Sequence, residues 1–430
     1  MALSTNGRSK YNNQSDIIVG LDIGTSKICA LVARPGEGEN KLNILGIGIA
    51  ESSGISRGAV ENLEKTVKSM RNVIDQAEQQ AGVKIEEVII GIAGDHIQSV
   101  QNRGIVGISS PTREISQDDV VRVLEESRRL NLASDRKILH VIPQEFIIDG
   151  QGGIYDPVGM SGLRMEALVN IITGNNFSIE NIFKCVEKSG LTVRDVVLEP
   201  IASSIAVLDE EEKEIGVAIV DIGAGTTDIA VFENGILRFT SIFAIAGKKV
   251  TDDIQKGLRI VQKEAERVKK ENGHTYRQGI MRDEVFMIRG VGGRNPMEVS
   301  KSVLCSIIQP RMEEIFEMAL SEIKKSGFAN NLGAGVVITG GTSLLRGAED
   351  LALEVFGMPV KMGSPTGISY SGLAPEVENP IYSTAVGLTL YGLNSPYSKK
   401  SDDISATNSE RSKERGGSIL GKLKDMINNL

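Results

Sequence analysis

At 430 residues, 40% hydrophobic and 24% charged, the chain is long enough for roughly two to four structural units with sizeable cores. A net charge of −8, no Trp and 4% aromatic residues exclude a basic nucleic-acid binder and an aromatic platform for single strands, so no nucleic-acid partner is expected. Cys29, Cys185, Cys305 and His96, His140, His274 stand at no metal-ligand or redox spacing, which sets aside Cys/His-centred catalysis and suits buried thiols in a reducing cytoplasm.

The polar segment 1–15 reads as a disordered N-terminus without the apolar stretch of a signal peptide, and no run approaches the length of a membrane span. Apolar runs at 17–21 and 28–32 flank Asp22-Ile23-Gly24-Thr25-Ser26-Lys27, the pattern of strand, tight turn, strand. A strand follows at 42–50, then a helix in which Val60, Leu63, Val67, Met70, Val73, Ile74 and Ala77 recur at helical spacing. Strands are expected at 84–91, 104–109, 137–146 and 168–173, with Ser116 capping a helix that ends near Ala133. A helix at 179–189 and a strand at 192–198 lead to Glu199-Pro200 and a small-residue helix at 201–208.

The second half repeats the theme. Asp221-Ile222-Gly223-Ala224-Gly225-Thr226-Thr227-Asp228 lies between apolar runs, followed by a strand at 239–246, a helix starting near Thr251 and a charged helix at 262–270. Residues 272–297 read as hairpins or loops and 302–325 as a long amphipathic helix. A buried strand at 336–339 is one from which Gly340-Gly341-Thr342-Ser343 opens a helix. Strand–helix alternation in both halves predicts an α/β chain with a mixed sheet in each, an internal duplication with the ligand between the halves.

Taken singly, an Asp-x-Gly hairpin or a glycine pair before a helix is an ordinary turn. Two matched copies plus the third element point to a site. Glycines let backbone N–H groups approach an anion, and hydroxyls at Thr25, Ser26, Thr226 and Thr227 add donors. Lys27 adds a positive charge. The candidate phosphate-binding residues are Gly24, Thr25, Ser26, Lys27, Gly223, Ala224, Gly225, Thr226 and Thr227. Asp22 and Asp221, at strand ends, suit a hydrated Mg²⁺, which prefers a few carboxylates, waters and phosphate oxygens.

Together these elements resemble the phosphate 1, phosphate 2 and adenosine motifs of the actin, heat-shock chaperone and sugar-kinase ATPase superfamily. Glu199-Pro200-Ile201-Ala202-Ser203-Ser204 is similar to its connecting motif, which implies a catalytic place for Glu199 near the γ-phosphate and the attacking water. Glu266-Arg267-Val268-Lys269 is similar to the residues that flank adenosine in the chaperone branch, an exposed i, i+3 helix pair being the plain alternative. The resemblance implies ATP and Mg²⁺ as ligands, with Gly247, Glu266, Lys269, Gly340, Gly341, Thr342 and Ser343 around the adenosine.

Within the superfamily, residues 16–392 resemble the FtsA family of bacterial cell-division proteins. The resemblance rests on Ile18-Val19-Gly20-Leu21-Asp22-Ile23-Gly24-Thr25, Gly54-Ile55-Ser56-Arg57-Gly58, Gly91-Ile92-Ala93-Gly94, Ala246-Gly247-Lys248-Lys249-Val250-Thr251-Asp252-Asp253-Ile254 and 335–347. Lys248 departs from it, since many relatives carry a second glycine or a small residue there. The resemblance implies an actin-like (ribonuclease H-like) duplicated fold with subdomains 1A (16–83 and 161–192), 2A (193–247 and 309–392) and 2B (248–308). An inserted SHS2-like 1C domain would occupy 84–160. It also implies filaments of the protein itself, FtsZ and later divisome membrane proteins as partners, and weak or no ATPase activity.

Beyond Gly392 the composition turns polar, and 393–417 reads as a disordered linker. In 418–430, Ile419, Leu420, Leu423, Met426, Ile427 and Leu430 share an arc of roughly 120°. With Lys422 and Lys424 this suits a C-terminal amphipathic helix on a membrane surface, docking on the protein's own core being the alternative. The resemblance implies the same role, at the inner leaflet of the plasma membrane and at the division septum. Competing readings are a small-molecule kinase of the superfamily, a type IV pilus platform protein, or a chaperone ATPase, which would need a peptide-binding domain after 392.

Overall fold

The computed structural model describes residues 16–36, 41–290, 295–369 and 373–394. β1 (Ile18–Ile23) is buried along its whole length and turns back into antiparallel β2 (Lys27–Pro35), with Asp22 opposite Cys29. β3 (Leu42–Glu51) pairs with β2. A short hairpin of β4 (Ile55–Ser56) and β5 (Ala59–Val60) precedes α1 (Leu63–Ala81), whose N-terminus is capped by the Asn62 side chain accepting from Lys65 N. Val60 therefore belongs to the hairpin and not to the helix expected to include it, because the Asn62 cap fixes the first turn after it. β6 (Glu87–Ile92) lies parallel to β1.

The chain then leaves this sheet. β7 (Gln98–Gly107), α2 (Gln117–Ser127), β8 (Arg136–Ile148), β9 (Gln151–Ile154) and β10 (Arg164–Asn175) form an antiparallel sheet in the order β7-β10-β8-β9, with α2 on one face. Ser116 and Asp119 form a capping box on α2, which stops at Ser127 and not near Ala133. Strand pairing also moves the bounds of the small unit expected at 84–160. β6 pairs with β1, and β10 pairs with β7 and β8, so the inserted sheet runs from 98 to 175. Hydrophobic pattern marks a strand but not its distant partner, so the sequence alone leaves 161–192 with the body. α3 (Asn176–Lys188) returns to β11 (Thr192–Leu198), parallel to β6.

The second half begins with α4 (Glu199–Val207) and α5 (Glu210–Ile215). β12 (Val217–Ile222), again buried throughout, turns into β13 (Thr227–Glu233), which pairs with β14 (Ile236–Phe243). After α6 (Gly247–Leu258) and α7 (Gln262–Asn272) come a hairpin of β15 (Val285–Ile288) and β16 (Met297–Ser300) and the long α8 (Lys301–Lys325). β17 (Gly335–Thr339), α9 (Ala348–Phe356), β18 (Val360–Met362), α10 (Ala374–Val377) and α11 (Ser383–Asn394) complete it.

The two large sheets read β3-β2-β1-β6-β11 and β14-β13-β12-β17-β18. Each is an antiparallel three-strand meander followed by two parallel strands, so the halves are topological copies of one another. Between them lie α4 and α11, in a core that joins Leu31 and Leu198 to Val217, Ile219, Val337 and Val386. A Cβ at Gly387 would stand 1.7 Å from Ala202 O, so only glycine lets α11 approach α4 this closely. No helix among the described residues is long and apolar enough to cross a membrane.

Candidate functional site: a cleft between two hairpin turns

β1 and β12 each end in a buried carboxylate, Asp22 and Asp221. The turns that follow touch: a Cβ on Gly225 would lie 2.2 Å from Thr25 Oγ1. Lys27 Nζ stands 3.0 Å from Asp22 Oδ2, donates to Ile381 O and lies 5.4 Å from the centre of the Tyr382 ring. Burial would lower the Lys27 pKa, but Asp22 outweighs it and holds the ammonium above its ordinary range. Asp221 Oδ2 accepts from Ser203 Oγ at 2.6 Å and from Thr384 Oγ1 at 3.5 Å, which ties it to α4 and α11. Ser26 is exposed at the first turn.

Glu199 is the first residue of α4 and packs against Gly91 at the end of β6. Burial and the carboxylates of Asp22, Asp228 and Asp221 hold its pKa well above the usual range, with Lys27 opposing. Asp228 faces Asp221 across the β12–β13 ladder and is 4% exposed, and its Oδ1 has no hydrogen-bond partner. Burial and Asp221 push Asp228 well up, and burial brings Asp221 up to about 6. Lys27 thus offsets Asp22, Glu199 and Asp221, and Asp228 adds a fourth carboxylate, an arrangement short of positive charge. Asp228 had not been assigned a role. The signal was there: a four-residue turn that starts after Ile222 pairs Asp221 with Asp228.

On the adenosine side, α6 starts at Gly247 and not near Thr251. Gly247 N donates to Gly223 O at 3.1 Å and Lys248 N to Ala224 O at 2.8 Å, so the turn's carbonyls satisfy N–H groups of the helix's first turn. Thr342 N donates to Ile222 O at 3.0 Å and Thr342 Oγ1 to Gly223 O at 2.7 Å. The second turn, α6 and the 340–343 segment are therefore one unit. Residues 340–343 form a turn, and α9 begins only at Ala348, which corrects the helix expected to open there. Gly340 takes φ +86°, and the Thr342 bonds hold the chain back against the β12 turn, diverting it from helix. Gly341 is exposed, and Ser343 Oγ donates to Gly340 O at 2.6 Å.

Lys269 Nζ lies 2.8 Å from Glu266 Oε2 and donates to Gly247 O and Thr251 Oγ1 at 3.1 and 2.9 Å. Lys269 is buried, so the pair is not an exposed helix-surface pair. Burial lowers the Lys269 pKa against the pull of Glu266, while for Glu266 burial is outweighed by Lys269 and the pKa falls. Thr227 is fully buried and its hydroxyl donates inward to Ile245 O at 2.8 Å, so it is not the ligand donor expected, and Thr226 Oγ1 turns to Asp228. Thr384 and Tyr382 carry no sequence signal, and like Ser203 and Thr251 they reach the site through contacts distant in sequence. The membrane-facing set (Ile419, Leu420, Leu423, Met426, Ile427, Leu430) lies outside the described residues.

With this geometry in place, comparison with known proteins is informative. A family model described as cell division protein FtsA matches residues 218–387, and one described as the SHS2 domain inserted in FtsA matches 94–173, close to the inserted sheet. Cell division protein FtsA of Pseudomonas aeruginosa is 43% identical over 414 residues, 96% of this chain and 97% of that one. The FtsA of Escherichia coli K12 is 39% identical over 386 residues (88% and 91%), and that of Bacillus subtilis 37% over 376 residues (87% and 83%). Among solved structures, the PilM–PilN type IV pilus biogenesis complex gives a TM-score of 0.61 at 16% identity, over 87% of this chain and 98% of that one. MreB5 of Spiroplasma citri bound to ADP gives 0.55 at 15% identity, over 91% of this chain and 100% of that one. At such identities these two speak for the actin-like fold alone.

Proposed function

This chain belongs to the FtsA family of cell division proteins, and from that premise we propose that it binds Mg²⁺–ATP between its two hairpin turns and polymerises on the cytoplasmic face of the plasma membrane. There it tethers FtsZ and recruits later division proteins to the septum. The observation that carries the nucleotide reading is the direct meeting of the turns at Thr25 and Gly225 above a cluster of four carboxylates. Gly24 to Lys27 and the backbone of Gly223 to Thr226 hold the phosphates. Gly247, Glu266, Lys269 and Gly340 to Ser343 border the adenosine.

The excess of buried carboxylate, with Asp228 Oδ1 unpartnered, fits a divalent cation. Asp22 and Asp221, buried at the ends of β1 and β12, would hold Mg²⁺ through water, since Mg²⁺ takes few carboxylates and keeps several of its waters. The chemistry a divalent cation would supply there is positive charge against the cluster and the polyphosphate. Glu199, whose pKa burial and the neighbouring carboxylates hold above the usual range, stands at the start of α4 where it would orient a water toward the terminal phosphate. ATP acts mainly as the ligand that closes the cleft and permits assembly. Tail residues 419–430 anchor weakly as one copy, and polymerisation multiplies the attachment.

The test is liposome co-sedimentation with ATP and Mg²⁺, comparing the full chain with one ending at Lys400. Tail-dependent pelleting with filaments on the lipid is expected. If both chains stay dispersed, the tether reading fails while the family membership and the nucleotide reading stand.

A further inference from the structure

The polyphosphate site has an uneven supply of cations. Lys27 is engaged three ways, by Asp22, Ile381 O and the Tyr382 ring. Lys269 is buried and held by Glu266, Thr251 and Gly247 O. The second turn, Gly223 to Thr227, contains no basic side chain at all. Against this, Asp22, Glu199, Asp221 and Asp228 all carry carboxylates into the cleft, and a polyphosphate entering it adds further negative charge.

One exposed cation stands at the edge of that second turn. Lys248 is the second residue of α6, and its backbone N–H is fastened to Ala224 O at 2.8 Å. It is exposed, and no ion pair or side-chain hydrogen bond engages it among the described residues. Three residues on, Thr251 shares its helix face and bonds both Glu266 and Lys269, so that face of α6 is turned toward the adenosine side. The long stem of Lys248 therefore starts between the phosphate turn and the adenosine wall, with its ammonium free.

Resting on the nucleotide reading above, we infer that Lys248 is a phosphate-binding residue of this cleft. It supplies from the second half the positive charge that its hairpin lacks, and pairs with the inner phosphates of a nucleoside di- or triphosphate. Its neighbour Lys249 lies one position round the helix, half-buried, and does not share the Thr251 face. A lysine at such a place acts as a flexible point charge, so the contact is sensitive to salt and tolerant of arginine.

The experiment is calorimetric titration of the full chain with ATP, ADP and adenosine in the presence of Mg²⁺, at low and high salt, for wild type, Lys248→Ala and Lys248→Arg. Loss of the lysine should weaken ATP and ADP binding about fivefold at low salt, in the range of a partly exposed charge pair. Adenosine binding should be unchanged, high salt should narrow the gap, and arginine should restore affinity. Equal ATP affinity for wild type and Lys248→Ala overturns this inference while leaving the nucleotide reading standing, as does an equal loss for adenosine. A wild-type chain that binds none of the three ligands overturns the nucleotide reading, and this inference with it.

Discussion

At the end of β1 the hairpin turn carries its own cation, whereas the matching turn at the end of β12 carries none. Asp22 is answered by Lys27 at 3.0 Å, but Asp221 is answered by the hydroxyls of Ser203 and Thr384 and faces a second carboxylate, Asp228. The second turn compensates in backbone: its carbonyls at Ile222, Gly223 and Ala224 accept from Thr342, Gly247 and Lys248. Duplication has kept the strand plan and divided the labour. One turn is held by charge, the other by close packing of glycines and main chain.

This difference predicts unlike ways of breaking the two turns. The largest effect falls beside the second, in the 340–343 segment that Thr342 bonds to it. Gly340→Ala places a methyl 2.2 Å from Asp221 Oδ1 at φ +86°, and should cost about 3–4 kcal/mol in denaturant unfolding. In the first turn, Gly24→Ala meets Lys27 O at 2.8 Å without a positive φ, and should cost about half as much. Equal losses would break the comparison.

The first turn should instead fail through charge. Lys27→Met leaves Asp22 buried without its cation and should destabilise by about 2–3 kcal/mol, less than Gly340→Ala. A variant as stable as wild type would show that Asp22 does not depend on Lys27.

The first half also holds a pH-dependent support. His140 of β8 accepts from Leu198 N at 3.2 Å, just before Glu199, and burial brings its pKa from 6.5 down to about 4. The folded state therefore binds fewer protons than the unfolded one. The contribution is complete above pH 6.5 and is lost as pH falls toward 4, by up to about 3 kcal/mol. The acid limb of unfolding free energy against pH should flatten in His140→Gln; an unchanged limb would remove His140 from the account.

The smallest effect separates hydroxyls of the two turns. Thr227→Val loses the bond to Ile245 O and about 1 kcal/mol, with nucleotide affinity unchanged. Thr25→Val should lower affinity at nearly constant stability. Reversed outcomes in titration would mean that Thr227, and not Thr25, faces the ligand.

Much of this was legible in the chain because it rests on local patterns. The buried runs of β1 and β12, the paired Asp-x-Gly turns and the Ser116 cap are each written within a dozen residues, and the halves proved to be copies. What stayed hidden depends on distant partners. Strand 164–175 pairs with 98–107 and 136–148, which no periodicity reveals. Gly340 to Ser343 has a helix-opening composition, yet Thr342 is held by Ile222 and Gly223, more than a hundred residues earlier. Asp228 looked like the tail of a motif until the register set it opposite Asp221.

The central claim is that both turns hold one ligand, and the most direct measurement is Mg²⁺–ATP affinity of the full chain beside Asp22→Asn and Asp221→Asn. One ATP per chain is predicted, weakened about tenfold or more by either substitution alone; in a metal chelator wild type itself should bind far more weakly and the substitutions should make little further difference. If either variant binds Mg²⁺–ATP as tightly as wild type, the ligand is held from one side only and the account is wrong.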